Sequence, residues 1–174
     1  MKAKELDPLS GYISSRAGDI FTVSGQIDKA IEEYQMSISI RPDYFLTHFQ
    51  LGLAYFKKKM FLKVITEFEK AYTLSDGNPL VSAALCSAYF RIWKKAKANR
   101  ILEDLKVRYE VEYIPPSCFF IVYYARGEEE KALNWLKRAL MERDTLLPDI
   151  RISLLDNPGS SNYLNLMKEM GMYF

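Results

Sequence analysis

Residues that perform chemistry are scarce in this chain. It holds one histidine, His48, and two cysteines, Cys86 and Cys118, among 174 residues. The cysteines stand at no metal-like spacing, which argues against a zinc site or a disulfide framework and suits a reducing compartment. There is no phosphate-cradling glycine loop and no paired-carboxylate motif. No catalytic residue, metal site, cofactor or small-molecule substrate is therefore expected. His48 reads as a core or half-buried histidine rather than a catalyst. Cys118 follows two prolines near a helix start, a setting that can lower a thiol pKa; no general base accompanies it, and an inert thiol is expected. Long apolar runs are lacking too: the longest, around Phe119 to Tyr124, falls far short of the roughly 20 residues that span a bilayer. The N-terminal MKAKELDPLS has no apolar signal-peptide core, so a cytoplasmic protein is expected, with no membrane partner. Charge of one sign is missing as well. A formal net charge of +2 gives no strong attraction to nucleic acid or to an acidic membrane.

What the chain does have is a period. Ala30, Val64, Ala98 and Ala132 stand 34 residues apart. Tyr34, Phe68, Leu102 and Leu136 keep the same spacing, as do Phe21, Tyr55, Tyr89 and Tyr123, and Ala17, Leu51, Leu85 and Phe119. A constant period of this length marks stacked supersecondary units, each too small to bury its apolar face alone. With Gly11 as position 1, four units run over residues 11–44, 45–78, 79–112 and 113–146. In each, two apolar runs at helical spacing flank a short break. In the second unit Leu51, Ala54 and Tyr55 form one stripe; Ile65, Phe68, Ala71 and Tyr72 form the other. The break carries Gly25 in the first unit and Gly127 in the fourth, where a helix end wants a left-handed residue. Small residues at packing positions (Gly18, Gly52 and Cys86; Ala30, Ala98 and Ala132) let the two helices approach closely, and aromatic residues fill what remains.

This pattern resembles the tetratricopeptide repeat: a helix–turn–helix with small residues at positions 8 and 20, aromatics at 11 and 24, and proline near 32. HFQLGLAYFKKKMFLKVITEFEKAYTL is the best copy. It departs from the family pattern at Val64, where alanine is usual, and at Asp76, where the proline arrives late as Pro79. In the fourth copy Phe120 replaces the small residue, and Pro115–Pro116 opens the first helix. The resemblance implies an all-α, right-handed α-solenoid with a C-terminal capping helix, acting in protein–protein interaction. The stretch YYARGEEEKALNWLKRALMERD with the tail after it also resembles the C-terminal ends of such arrays in multidomain bacterial regulators. There the array follows a winged-helix, cyclase or kinase domain. That likeness implies a sensory or scaffolding module and carries over no catalytic residue.

The ends are expected to differ. Pro8 lies 34 residues before Pro42, so residues 1–10 read as the tail of a preceding repeat, in a fragment of a longer array. The helix from Gly11 to Ser24 has no polar face prepared for solvent, which favours self-association as a homo-oligomer. Residues 147–174 read as an irregular segment, with Pro148 and the turn Asn157-Pro158-Gly159. A capping helix follows, begun by Ser160 or Ser161, bearing Tyr163, Leu166, Met167 and Met170, and ended by Gly171.

In the repeat family, positions 2, 5, 9, 12 and 13 line a concave groove. The resemblance thus implies a partner-binding surface including Tyr12, Leu46, Phe49, Leu53, Phe56, Lys57, Ser87, Phe90, Arg91, Ile121 and Tyr124. An apolar, aromatic groove of this kind suits an amphipathic helix or an extended apolar peptide. No asparagine stands at position 9, which argues against a carboxylate clamp. The protein's own Leu146–Ile152 segment is the competing occupant, and a dimer interface the next. A second expectation is a basic ridge formed by Lys58, Lys59, Lys63, Lys94, Lys95 and Lys97 at two successive turns. A solvated face is its default reading; an acidic protein or nucleic acid would be its partner otherwise.

Overall fold

The computed structural model describes residues 8–147 and 161–171. Among them it shows α-helices and no strand. They are α1 (Pro8–Val23), α2 (Ile27–Ile40), α3 (Phe45–Lys57), α4 (Phe61–Leu74), α5 (Pro79–Arg91), α6 (Lys95–Tyr109), α7 (Pro116–Arg126), α8 (Glu129–Met141) and α9 (Ser161–Glu169). The all-α array of helical hairpins expected from the period is what forms. The chain divides into two compact units, Met1–Ala88 and Tyr89–Phe174.

The period is written into the backbone. The second helices begin at Ile27, Phe61, Lys95 and Glu129, in steps of 34. The residue before each start, Gln26, Met60, Lys94 or Glu128, has φ between −80° and −88° and ψ between 56° and 75°. None of these four starts uses a side-chain cap. One residue earlier the chain crosses into the left-handed region each time: Gly25 at φ 74°, Lys59 at 58°, Trp93 at 62° and Gly127 at 77°. Glycine was the expected residue here, and two copies do without it. A side chain in this region crowds the following carbonyl at roughly 1–2 kcal/mol, so hairpin packing imposes the geometry on Lys59 and Trp93.

The expected core positions are filled. Ala30, Val64, Ala98 and Ala132 are buried, as are Tyr34, Phe68, Leu102 and Leu136. Leu51, Leu85 and Phe119 follow, whereas Ala17 of the first copy is half-buried. Position 8 shows how tightly the first two hairpins close. A β-carbon on Gly18 would lie 2.4 Å from the Tyr34 ring, and one on Gly52 would lie 2.4 Å from the Phe68 ring. Glycine at 8 with an aromatic ring at 24 is thus one packing solution. The third copy holds Cys86 and Leu102 at these positions and the fourth holds Phe120 and Leu136, so that only in the fourth is the larger residue on the first helix.

One first helix starts off the expected register, and another opens at the prolines expected to open it. The helix α1 begins at Pro8, three residues before Gly11, so Pro8 opens α1 rather than ending a preceding helix. The helix α7 begins at Pro116, with Pro115 at the cap position. Its first turn is held from a distance: the buried Asp144 carboxylate accepts from the Ser117 amide at 3.0 Å and the Ser117 hydroxyl at 2.6 Å. The start of α5 is capped locally by Asn78, whose side-chain oxygen accepts from the Leu80 amide at 3.0 Å. At the C-terminal end α9 packs on α8, with Tyr163 and Met167 buried, and Gly171 follows at φ 87°. The Asn157-Pro158-Gly159 turn, Pro148, Ser160 and most of the Leu146–Ile152 segment lie outside the described residues, as does KELD.

Candidate functional site

The candidate surface of the first unit lies on α1 and α3. On α3, Leu46, Phe49, Leu53 and Phe56 follow one another at helical spacing, yet they divide in two. Phe49 is buried, with its ring stacked on Phe68 at 5.4 Å between centroids. It belongs to the core of its own hairpin, and the expectation that it lines a groove is corrected. Leu53 is 41 % exposed. Leu46 and Phe56 are half-buried, Phe56 meeting Phe61 edge-on at 5.9 Å, and Lys57 is exposed. Tyr12 on α1 is exposed beneath the Arg16 guanidinium. Ser87, on α5, is half-buried.

The neighbouring groove positions of α1 are polar and occupied within the protein. Ser15 is buried and donates to Gln50 at 3.1 Å while accepting from Thr47. Asp19 accepts from Tyr34 at 2.9 Å and from Gln50, and pairs with Arg16 at 3.1 Å. Burial and this carboxylate push the Tyr34 phenol well above its ordinary range. Ser37 hydrogen-bonds Thr47 at 3.2 Å and ties α2 to α3. Such a satisfied network holds α1, α2 and α3 in one arrangement.

In the second unit Phe90 is half-buried with the Arg126 guanidinium over its ring at 5.3 Å, and Arg91 is exposed. Ile121 is half-buried. Tyr124 stacks on Phe120 at 5.6 Å and meets Tyr163 of α9 edge-on at 5.1 Å. The C-terminal helix therefore covers this part of the candidate surface. A cleft of about 380 Å³ opens between α8 and α9, lined by side chains such as Asn134, Lys137, Asn162 and Glu169. It contains no histidine, cysteine or tyrosine.

The lysines of the expected ridge have a periodic explanation. Lys29 sits over Phe21 at 5.5 Å, Lys63 over Tyr55 at 5.1 Å, Lys97 over Tyr89 at 5.3 Å and Lys131 over Tyr123 at 5.5 Å. Every repeat places the lysine of position 19 on the ring of position 11, an attraction of about 0.5–1 kcal/mol at an exposed site. Lys63 and Lys97 thus occupy a slot that recurs in copies with no basic cluster. Lys58 pairs with Asp28, and Lys95 lies over the exposed Trp93 ring. Lys59 is exposed at the left-handed turn position, and Lys94 is exposed just before α6. The two clusters fall in different units.

His48 shows what the sequence reading missed. It is buried, as expected, but its Nδ1 lies 2.7 Å from a Glu67 carboxylate oxygen and its Nε2 lies 2.9 Å from the Pro42 carbonyl oxygen. Both ring nitrogens face oxygen atoms, so the ring is held at both edges. Burial works against charge on Glu67, but hydrogen bonds from His48 and Lys70 outweigh it and hold the carboxyl below the usual 4.5. The partner stands 19 residues away on the other helix of the hairpin. Only the repeat register could have pointed to it. Cys118 reverses the thought that a helix start lowers its pKa: burial first, then the nearby Asp144 charge, push the thiol up to about 12. Among the described residues no three His, Cys, Asp or Glu side chains group to hold a metal ion, and no helix is long and apolar enough to cross a membrane.

These features define an all-α protein built from helical-hairpin repeats. A family model of the TPR repeat matches residues 18–59, from Gly18 through α2 and α3 to the turn at Lys59. Repeats of that family generally mediate protein–protein interaction, and folds of this type are typically non-enzymatic. A search of curated proteins finds no match to the chain.

Proposed function

We propose that this chain is a protein-interaction module whose partner docks on the outward face of α3. The observation that carries the reading is Leu53, 41 % exposed between half-buried Leu46 and Phe56, on a helix otherwise locked by Phe49, Leu51, Ala54 and Tyr55. An apolar stripe on a rigid helix suits an amphipathic helix or an extended apolar segment, because its contacts form without first ordering the receptor. Module and partner together would serve a larger regulatory or signalling protein.

The test is a display selection against the folded chain with a library of random peptides about 20 residues long, the length of an amphipathic recognition helix. Enrichment of peptides with apolar residues at i, i+3, i+4 and i+7 is expected. Leu53→Asp should weaken their binding at least tenfold, about 1.4 kcal/mol. Selected peptides that bind the Leu53→Asp chain as well as the original would remove the reading.

A further inference from the structure

The polar network beside the α3 face has a direction, and Asp19 sets it. A carboxylate oxygen can only accept. Gln50 therefore turns its amide nitrogen to Asp19 and its oxygen to the Ser15 hydroxyl, which donates at 3.1 Å. With its proton given to Gln50, Ser15 accepts from Thr47 at 3.3 Å, and Thr47 in turn accepts from Ser37 at 3.2 Å. Each hydroxyl along this chain has its one proton committed. The donor left over is the second N–H of Gln50, whose oxygen also keeps a lone pair; among the described residues neither has a partner. Gln50 is half-buried. It stands four residues after Leu46 and three before Leu53, so the three share one face of α3.

Resting on the reading that a partner helix docks on this face, we propose that the partner carries an asparagine or glutamine opposite Gln50, and that this pair sets the register of docking. Two carboxamides meet through two hydrogen bonds, each giving an N–H to the other's oxygen. Other side chains match less well. An apolar one buries both groups of Gln50 unmet. An ammonium offers the N–H no acceptor, and a carboxylate offers the oxygen no donor. A hydroxyl, with both functions on one atom, meets one of the two. A single polar pair in an apolar seam fixes the register of paired helices at a cost in stability. The network adds preorganisation: an amide pinned by Ser15 and Asp19 has little rotational freedom left to lose on binding.

The probes are peptides from the display selection that bind the chain and lose binding to Leu53→Asp. A carboxamide one turn from their apolar stripe should be enriched, because Gln50 lies one turn before Leu53. Synthetic pairs, one peptide with that residue and one with leucine in its place, are then titrated against the chain and against Gln50→Met. On the original chain the leucine peptide should bind about tenfold more weakly. On Gln50→Met the difference should vanish or reverse. A Gln50 that only braces α1 against α3 would weaken both peptides alike, and that result overturns the proposal. The original chain also reports without any variant. The side-chain amide signals of Gln50 in the nitrogen-labelled chain should shift further with the carboxamide peptide than with the leucine one; equal shifts overturn the pairing. Peptides blocked by Leu53→Asp but indifferent to the carboxamide exchange sink this inference and leave the docking face standing. Peptides indifferent to Leu53→Asp remove both.

Discussion

Trp93 places the largest side chain of the chain in the least hospitable backbone slot. It is 78 % exposed, at φ 62°, where the first and fourth copies have glycine. Trp93→Gly should raise stability by about 1 kcal/mol, from relief of left-handed strain less the extra entropy of glycine in the unfolded chain. Urea unfolding checks this, and an unchanged or lower midpoint would show that the indole makes up for its backbone. The sequence pointed to this turn through Gly25 and Gly127 alone. Lys59 and Trp93 gave no local sign, because a left-handed residue imposed by packing is visible only through its place in the period. Phe49 failed for a related reason. Helical spacing put it on the same stripe as Leu53, but a ring within stacking distance of Phe68 turns inward while leucine one turn later stays out.

Within a hairpin, the link between His48 on α3 and Glu67 on α4 should make stability respond to acid. The carboxyl of Glu67 is held below 4.5 in the fold. Its contribution is complete above the ordinary value and is lost as pH falls from about 4.5 down through the lowered one. Glu67→Gln should remove that slope, and at neutral pH should cost about 1.5–3 kcal/mol, as for hydrogen bonds to charged groups. Denaturant midpoints between about pH 3 and 6 measure both effects; an unchanged slope in the variant would mean that the carboxylate does not carry the acid response. Helix existence and phase were legible from apolar spacing alone, since burial requires it. Caps were less so. Asn78 acts locally on α5, but α7 takes its cap from Asp144, 27 residues away, a distance no window of sequence spans. The lysine–ring pairs are visible as letters at positions 11 and 19, yet by sequence alone Lys63 and Lys97 read as members of a surface cluster. Their spacing of eight residues crosses the turn and has no meaning on a single helix.

At the scale of a whole unit, α9 packs on the fourth hairpin. Tyr163 meets both Phe120 and Tyr124 edge-on, and Met167 is buried. Tyr163→Ala should cost about 3–5 kcal/mol if the cavity it leaves does not close. Greater exposure of Phe120 and Tyr124 should accompany it, read as a lower thermal midpoint and stronger binding of an apolar dye. A loss confined to α9, with the other helices melting as before, would show that the repeats stand without it. The all-α array of helical hairpins followed from periodicity. Which surface stays open did not, because exposure depends on what each helix packs against. Gly18 under Tyr34 and Gly52 under Phe68 carry one more implication. The turns share a backbone, so nothing in the main chain prevents recombination within a repeat. A crossover there, joining α7 to α4, would place Phe120 in the register of Gly52, against a ring that leaves no space for a β-carbon. Joining whole repeats keeps each close pair together, which makes the hairpin, and not the helix, the smallest piece of this chain that could be inherited or transplanted intact.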